Sequence, residues 1–440
     1  MINIIVAVDK NYGIGYDNKL PWKIPEEIKL FKEKTMNAIC IVGNKTYDSL
    51  PASLFEDRMI FAVSNKLGIS LEKVLKGAKL KYPEKDVFIC GGAILYSYVL
   101  QKYKDKVKIH ISFIKNEYEC DTFFNKDLLK DFYITSKKSN IDDTFDHCEM
   151  IYKKYGEYQY LNLIHDVLYN GENRIGRNGE IISDFSKHLK FDLRDGFPLL
   201  TTKKMFIKGI IEELLFFIRG DTDTKKLEEK GINIWKGNTS KEFLEKNNLD
   251  YKEGIMGPMY GYQWRFFNSP YDLSPHPKMN VDQLKYVINE IKNNPTSRRI
   301  LLTTFNPSQV NDGVLYPCHS IIIQFYVQED FLDMFCFNRS SDLFLGLPFN
   351  IASTALFLMI IAKLTNLVPR YFNLSLGDVH IYSSHVDGVK EQLRRKPYIF
   401  PKIILPEYIK CLEDVEKLKF TDFILDEYNS YPSIKMNMIV

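Results

Sequence analysis

The 440 residues contain no paired CxxC spacing, no Pro-rich or Gly/Ser-rich spacer, no internal repeat and no surplus of one charge, and each absence removes a class of protein. Seven scattered cysteines, an odd number, build neither a disulfide framework nor a zinc or thioredoxin-like motif. A reducing compartment therefore fits, and no metal site is expected. The longest apolar run, Ala355 to Ala362, stops at Lys363, far short of the roughly 20 residues a membrane helix needs. The opening stretch MINIIVAVDKNYGIG has no basic segment ahead of its apolar run, so it reads as a strand and not as a signal peptide. A cytoplasmic protein without membrane contact is the expectation. With 59 basic against 56 acidic side chains the net charge is only +3, which leaves no electrostatic footprint for nucleic acid. Anionic ligands must be met by local clusters.

Apolar residues make up 45% and charged residues 26%, a soluble globular balance that can offset the entropy of folding. At about 100–200 residues per domain, two domains are the first expectation. Residues 1–155 alternate β-rich runs (INIIVAV, AICIVG, MIFAVS, DVFIC, KIHISFI) with polar helical stretches, which predicts an α/β domain with a mixed, mostly parallel sheet flanked by helices. At Gly156 the pattern changes to an amphipathic helix, YQYLNLIHDVLYNG, closed by Asn170-Gly171. Residues 156–440 carry helices expected at Phe206–Arg219, Val281–Asn293 and Ile351–Leu364 between strands such as SIIIQFYV and FLDMFCFN, an α+β pattern.

In the first half, Pro25 is preset for a first helical turn. Ile24, Glu27 and Phe31 share one face at helical spacing, while Glu26 and Lys29 look outward. The bland reading of Glu27 is a dipole-stabilising first-turn glutamate; the sharper one is a carboxylate gripping a cationic heterocycle. Two strand-to-helix turns, Gly43-Asn44-Lys45-Thr46 and Gly91-Gly92-Ala93, could present backbone N–H groups to phosphate, although most such turns are only tight turns.

LPWxxPxE followed by Phe31, behind GIGxxN (Gly13, Ile14, Gly15, Asn18), resembles dihydrofolate reductase along the whole half. The resemblance implies NADPH held by Ala7, Ile14, Gly15, Asn18, Gly43, Lys45, Thr46, Ser64, Gly91, Gly92 and Tyr96. It implies that Glu27, helped by Ser112 through water, binds the pterin of dihydrofolate and supports protonation at N5. Ala7, Phe31 and Leu54 would line that pocket, and Arg58 would pair with the substrate's glutamate tail. Asn44 and Asn65 stand where the family usually has basic residues for the 2′-phosphate, which shifts that task to Lys45 or Lys66. Tyr47 replaces a tryptophan.

In the second half, Leu315-Tyr316-Pro317-Cys318-His319 precedes a strand, and arginines recur at Arg177, Arg298, Arg299 and Arg339. A lone cysteine is ordinarily core filler; near guanidinium groups its thiol would be shifted toward the thiolate. Phe206, Ile210, Glu213 and Phe217 share an apolar stripe, so Glu213 should keep a raised pKa or organise water, whereas Glu212 is expected to pair with Lys208 one turn back.

FPLLTTKK, EELLFFIRGDT, GPMYGYQWR, SRRILLTTFNP, PCHS, NRSSDLFLGLPFNIAS and GDVHIYSSH resemble thymidylate synthase from Tyr158 to Val440. By that resemblance Cys318 attacks C6 of dUMP, C5 becomes the nucleophile toward 5,10-methylenetetrahydrofolate, and Glu213, Tyr260 and His319 manage protons. Arg177, Arg298, Arg299, Arg339 and Ser340 would bind the nucleotide phosphate, with Arg298 and Arg299 supplied by the second subunit of a homodimer. Asn350 would read the uracil amide edge, His380 and Tyr382 the ribose hydroxyl, and Asp342, Trp235, Asn238 and Gly346 would face the folate, Asp342 also bordering dUMP. GRNGEIIS is shorter than the family's phosphate loop. A nucleotide hydroxymethylase of the same fold would place Asp at position 350 to read an amino group, so Asn350 and the Trp235 wall speak against it. A catalytically silent binding protein would not need Glu27, Glu213, Cys318 and His319 together.

Overall fold

The computed structural model describes residues 2–49, 57–64, 68–272 and 281–439. The chain divides into two compact units, Met1–Tyr155 and Gly156–Val440.

The first unit is built on seven strands: β1 (Ile2–Val8), β2 (Ile39–Gly43), β3 (Met59–Val63), β4 (Val87–Gly91), β5 (Val107–Ile114), β6 (Phe132–Ser139) and β7 (Phe145–Tyr152). They lie in the order β3-β2-β4-β1-β5-β7-β6. The first five are mutually parallel, and β7 and β6 add an antiparallel edge. Central strands covered on both faces read as near-continuous apolar runs, as in Ile39 to Val42, all four buried. The edge strand β6 was not legible as a strand in the sequence: its Lys137, Lys138 and Ser139 face water and break the apolar run. Helix α1 (Pro25–Thr35) opens on Pro25, carries Glu26 and Glu27 in its first turn and Lys32 and Lys34 in its last, in accord with its dipole. Helices α2 (Leu71–Lys81) and α3 (Ala93–Tyr103) complete the layers.

The second unit begins with α4 (Glu157–Asn170) and has a six-stranded sheet of β8 (Glu172–Gly176), β9 (Gly179–Asp192), β10 (Leu301–Thr303), β11 (Ile322–Gln328), β12 (Phe331–Asp342) and β13 (Val368–Tyr382). Their order is β8-β9-β13-β12-β11-β10, antiparallel except for the β12–β13 pair. Three helices differ in length from the expectation. Helix α5 (Ile207–Arg219) starts one residue late, with Phe206 outside it and 47% exposed, so Phe206 does not belong to the buried stripe. Helix α6 starts at Gln283, where Asp282 caps the Lys285 N–H, and ends at Asn293. Helix α7 runs Gly346–Thr365, five residues earlier than expected, because Asp342 accepts the N–H groups of Phe344 and Leu345 just ahead of it and Pro348 sits in its first turn. Its length and apolar character would suit a membrane span, yet 78% of its most apolar window is buried, and α7 is the core helix over β12 and β13.

Candidate active sites

In the first unit, α1 leans Glu27 onto the sheet, 7% exposed. Burial pushes its carboxyl up to about 7, and a hydrogen bond with Ser112 on β5 pulls partly the other way. Ser112 therefore meets Glu27 directly. Ala7 is paired in register with Ser112, and Phe31 follows Glu27 one turn later beside Ile5 and Phe88. Arg58 is anchored on the end of α1, its Nε donating to Thr35 Oγ1 at 2.8 Å and an Nη to the Lys32 carbonyl at 2.7 Å. Leu54, Asn65 and Lys66 lie outside the described residues.

The two glycine turns converge because β2 and β4 are adjacent and parallel, which brings both of their carboxyl ends to one edge. A Cβ at Gly91 would stand 2.9 Å from Thr46 Cγ2, and one at Gly92 3.1 Å from Thr46 Oγ1. Gly91 also has φ +148°, so only glycine lets these turns approach. Lys45 is exposed beside them, and Ser64 is half-buried at the end of β3. Ile14 and Gly15 sit in a short strand paired with Thr122–Phe123, and Asn18 has a left-handed φ of 56° in the loop that follows. Tyr96 is buried in the core with its hydroxyl donating to the Ile5 carbonyl at 2.8 Å, so only its ring is available to a ligand. Donors, glycines and an exposed cation thus fit a dinucleotide.

In the second unit, one cavity of about 690 Å³ gathers residues from α5, α7, β8, β12 and β13. Arg177, Glu213, Trp235, Asn238, Tyr260, Cys318, His319, Arg339, Ser340, Asp342, Gly346, Asn350, His380 and Tyr382 all line it. Arg339 on β12 reaches the loop before β11, its Nη2 3.9 Å from Cys318 Sγ and its Nε bonded to the Pro317 carbonyl. Gly377 on β13 packs against the Arg339 backbone, where a Cβ would come within 2.6 Å of the carbonyl oxygen.

Beneath the thiol, Phe217, Tyr260 and His319 stack with ring centroids 4.9 and 4.6 Å apart. The Tyr260 hydroxyl accepts the Cys318 N–H at 3.1 Å, fixing the loop that carries the sulfur and keeping its own proton for a further partner. Tyr260 itself has a positive φ of 44°, a strained conformation held by complete burial. Trp235 Nε1 donates to Glu213 Oε1 at 2.8 Å. Burial pushes Glu213 up to about 7 against that hydrogen bond, and burial pulls His319 down to about 4, so the imidazole is neutral. The Cys318 thiol departs from the sequence expectation. Burial raises it, outweighing Arg339, Arg177 and Tyr260, which all lower it.

Arg298 and Arg299 are exposed ahead of β10 and do not line the cavity of their own chain. Glu212 is another correction. It is 3% exposed, holds Lys230 at 2.5 Å and accepts the Phe420 N–H, whereas Lys208 donates to the Lys230 carbonyl. Helix α5 is buried on both faces, so neither neighbour of the stripe is solvated. The sequence reading missed Arg174, Asp378 and the C-terminal Met438 and Ile439, which also line the cavity. Asp378 was within reach of the β-period, two residues before His380 on the same face. It holds His380 Nδ1 at 2.8 Å and Arg174 at 3.3 Å, so the other ring nitrogen of His380 is left for a ligand. Met438 and Ile439 carry no sequence signal, since only the return of the C-terminus brings them there.

The thymidylate synthase family model matches residues 158–440, and the dihydrofolate reductase model matches residues 1–157. A bifunctional dihydrofolate reductase-thymidylate synthase of Paramecium tetraurelia is 35% identical over 463 residues, covering 100% of this chain and 98% of that protein. The proteins of the same name from Zea mays and Leishmania major are 34% and 35% identical, covering 99% and 100% of this chain and 96% and 95% of their own length.

Proposed function

The chain belongs to the bifunctional dihydrofolate reductase-thymidylate synthase family, and from that premise we propose which of its residues carry the two reactions. Residues 156–440 form the synthase, which turns dUMP and 5,10-methylenetetrahydrofolate into dTMP and dihydrofolate. Residues 1–155 form the reductase, which returns dihydrofolate to tetrahydrofolate at the expense of NADPH. The observation that carries the reading is the single cavity in which Cys318 lies 3.9 Å from Arg339 and shares its walls with Glu213, Asn350 and His380.

In the synthase, the sulfur of Cys318 adds to C6 of the pyrimidine. Its raised pKa means that the thiol must give up its proton as the bond to C6 forms, with the Arg339 guanidinium beside the sulfur lowering the cost of that charge, while Arg177, Arg339 and Ser340 take the phosphate. Asn350 both donates and accepts toward the uracil amide edge, while His380 and Tyr382 take the ribose hydroxyl. Glu213, poised near neutrality, moves protons at the ring with Tyr260 and neutral His319. Trp235, Asn238, Asp342 and Gly346 shape the folate side, and the indole wall keeps water out. The folate supplies the one-carbon unit and a hydride when bound.

In the reductase, Glu27 with Ser112 binds and protonates the pterin beside Ala7 and Phe31, and Arg58 faces the glutamate tail. Ile14, Gly15, Asn18, Gly43, Thr46, Ser64, Gly91, Gly92 and the ring of Tyr96 hold NADPH, with Lys45 at its 2′-phosphate; NADPH supplies the hydride.

A homodimer is part of the proposal. Alternate residues of the outer sheet face, Leu301, Ile322, Tyr326 and Phe335, are large, apolar and exposed, and Arg298 and Arg299 stand at the rim of that face. A second copy would cover the face and lend both arginines to its neighbour's phosphate site.

Purified protein is expected to oxidise NADPH with dihydrofolate and to form dihydrofolate from dUMP plus methylenetetrahydrofolate. Silence in both assays would overturn the reading, and sedimentation of fully active synthase as a monomer would overturn the dimer.

A further inference from the structure

Behind Ser112, the first unit places two buried histidines, His110 and His147, with the half-buried Glu149 in one cluster that neither proposed reaction uses. The antiparallel register makes the group: His110 lies opposite Glu149 and Ser112 opposite His147 across β5 and β7, all on the face covered by α1. The two imidazoles stack with centroids 6.1 Å apart. One nitrogen of each ring is fixed from outside: His110 Nε2 lies 3.4 Å from Asn3 Oδ1, and His147 Nδ1 3.3 Å from Ser112 Oγ. Among the described residues the inward His147 Nε2 is buried without a hydrogen-bond partner, and the inward His110 Nδ1 meets only Glu149 Oε1, at 3.4 Å. The three ligand atoms fall within 4.8 Å of one another.

We propose that His110, His147 and Glu149 form a site for a zinc-type divalent transition metal, two hydrogen bonds behind the reductase carboxylate, through Ser112. Two imidazole nitrogens and one carboxylate oxygen, with a fourth position left to water, make a donor set that such ions accept and that magnesium and calcium, which prefer oxygen, do not. The outer contacts are those a metal-bound histidine requires: a carbonyl or hydroxyl acceptor for the second N–H, which sets tautomer and ring orientation. Burial, at 6% and 8% exposure, favours the neutral, coordinating imidazoles. Three donors about 2.1 Å from one ion stand about 3.4 Å apart; the His110–Glu149 edge already has that length, and the edges to His147 must shorten by at most about 1.4 Å, within the range of side-chain rotation.

The competitor is built in. Lys34 at the end of α1 places its ammonium 2.5 Å from Glu149 Oε1, while Lys108 holds Oε2 at 2.9 Å. An ion entering on Oε1 displaces Lys34, which is partly exposed and can swing into solvent; Lys108 remains. Lys138, on the neighbouring β6, adds a further positive charge toward His147. The affinity of the wild-type protein is therefore set by exchange of one cation for another.

The chelator-treated full chain, titrated with Co2+ and read by its visible d–d absorption, tests the site without reference to either activity. One bound Co2+ per chain is expected, with a visible d–d envelope and no thiolate charge-transfer feature in the near-ultraviolet. His110→Phe and His147→Phe should each abolish it, with circular dichroism confirming the fold. Lys34→Met, which removes the competing ammonium and leaves all three ligands, should tighten binding at least tenfold. No band in wild type or Lys34→Met, a band that survives in either histidine variant, or weaker binding in Lys34→Met would overturn the proposal.

Discussion

Replacing Trp235 by phenylalanine should move the ionisation of Glu213 in the synthase pH profile upward by about one to two units. Burial, net of one opposing hydrogen bond, already pushes this carboxyl from 4.5 to about 7, which at about 1.4 kcal/mol per unit is a cost of about 3.5 kcal/mol for ionising it in place. The opposing force is the indole N–H, 2.8 Å from Oε1. A donor of this kind can bond only an oxygen lone pair, and it favours the carboxylate over the acid. Hydrogen bonds to charged groups are worth about 1.5–3 kcal/mol, so losing this one raises the pKa to about 8 or 9. Because the folded pKa exceeds the unfolded one, the folded state holds its proton longer, and stability declines as pH rises from about 4.5 through 7. Trp235→Phe prolongs that decline, so the variant should lose about 2 kcal/mol more than wild type between pH 5 and pH 9. Measuring kcat/KM for dUMP from pH 5.5 to 9.5 reads the ionisation in the free enzyme. A limb that stays near 7, or moves toward acid, would refute the assignment of Trp235 as the carboxylate's donor; the reductase profile is the internal control.

Cys318→Ser should reduce synthase turnover by at least about a thousandfold and leave NADPH oxidation intact, while Glu27→Gln does the reverse near neutral pH; steady-state assays of both activities on each variant decide it. Gly377→Ala places a methyl 2.6 Å from the rigid Arg339 carbonyl and should cost about 1–3 kcal/mol in urea unfolding while raising the KM for dUMP. An unchanged KM would show that Arg339 is not held by this contact. Glu157→Ala removes a fully buried carboxylate that accepts the backbone and hydroxyl donors of both Thr201 and Thr202, and should destabilise the second unit by about 3–5 kcal/mol. Calorimetry giving less than about 1 kcal/mol would mean that those donors find other acceptors.

The faces of α1 and α5 were legible because helical spacing is a local property. Glu27 and Glu213 fell on apolar stripes in the sequence and are buried in the structure. The same rule misled at Glu212. A helix covered on both faces has no solvated side, and a partner from beyond its own turn, Lys230, took the place of Lys208. Helix α7 began earlier than its apolar run because Asp342, four residues upstream, bonds the backbone ahead of it, a contact that hydrophobic periodicity does not register. Strand β6 was missed for the opposite reason: its short apolar start, Phe132 to Ile134, gives way to Lys137, Lys138 and Ser139, which face water at the sheet edge.

By itself the sequence determined the division near residue 156, the two families and the candidates for the reactive side chains, since motif spacing and turn chemistry reside in neighbouring residues. Only the tertiary structure decided that Arg339 reaches Cys318, that Asp378 orients His380, that burial overrides the arginines at the thiol and that His110, His147 and Glu149 meet behind Ser112. Those outcomes follow from strand register and from exclusion of water. Both are properties of segments brought together across the chain, which no single stretch of residues specifies.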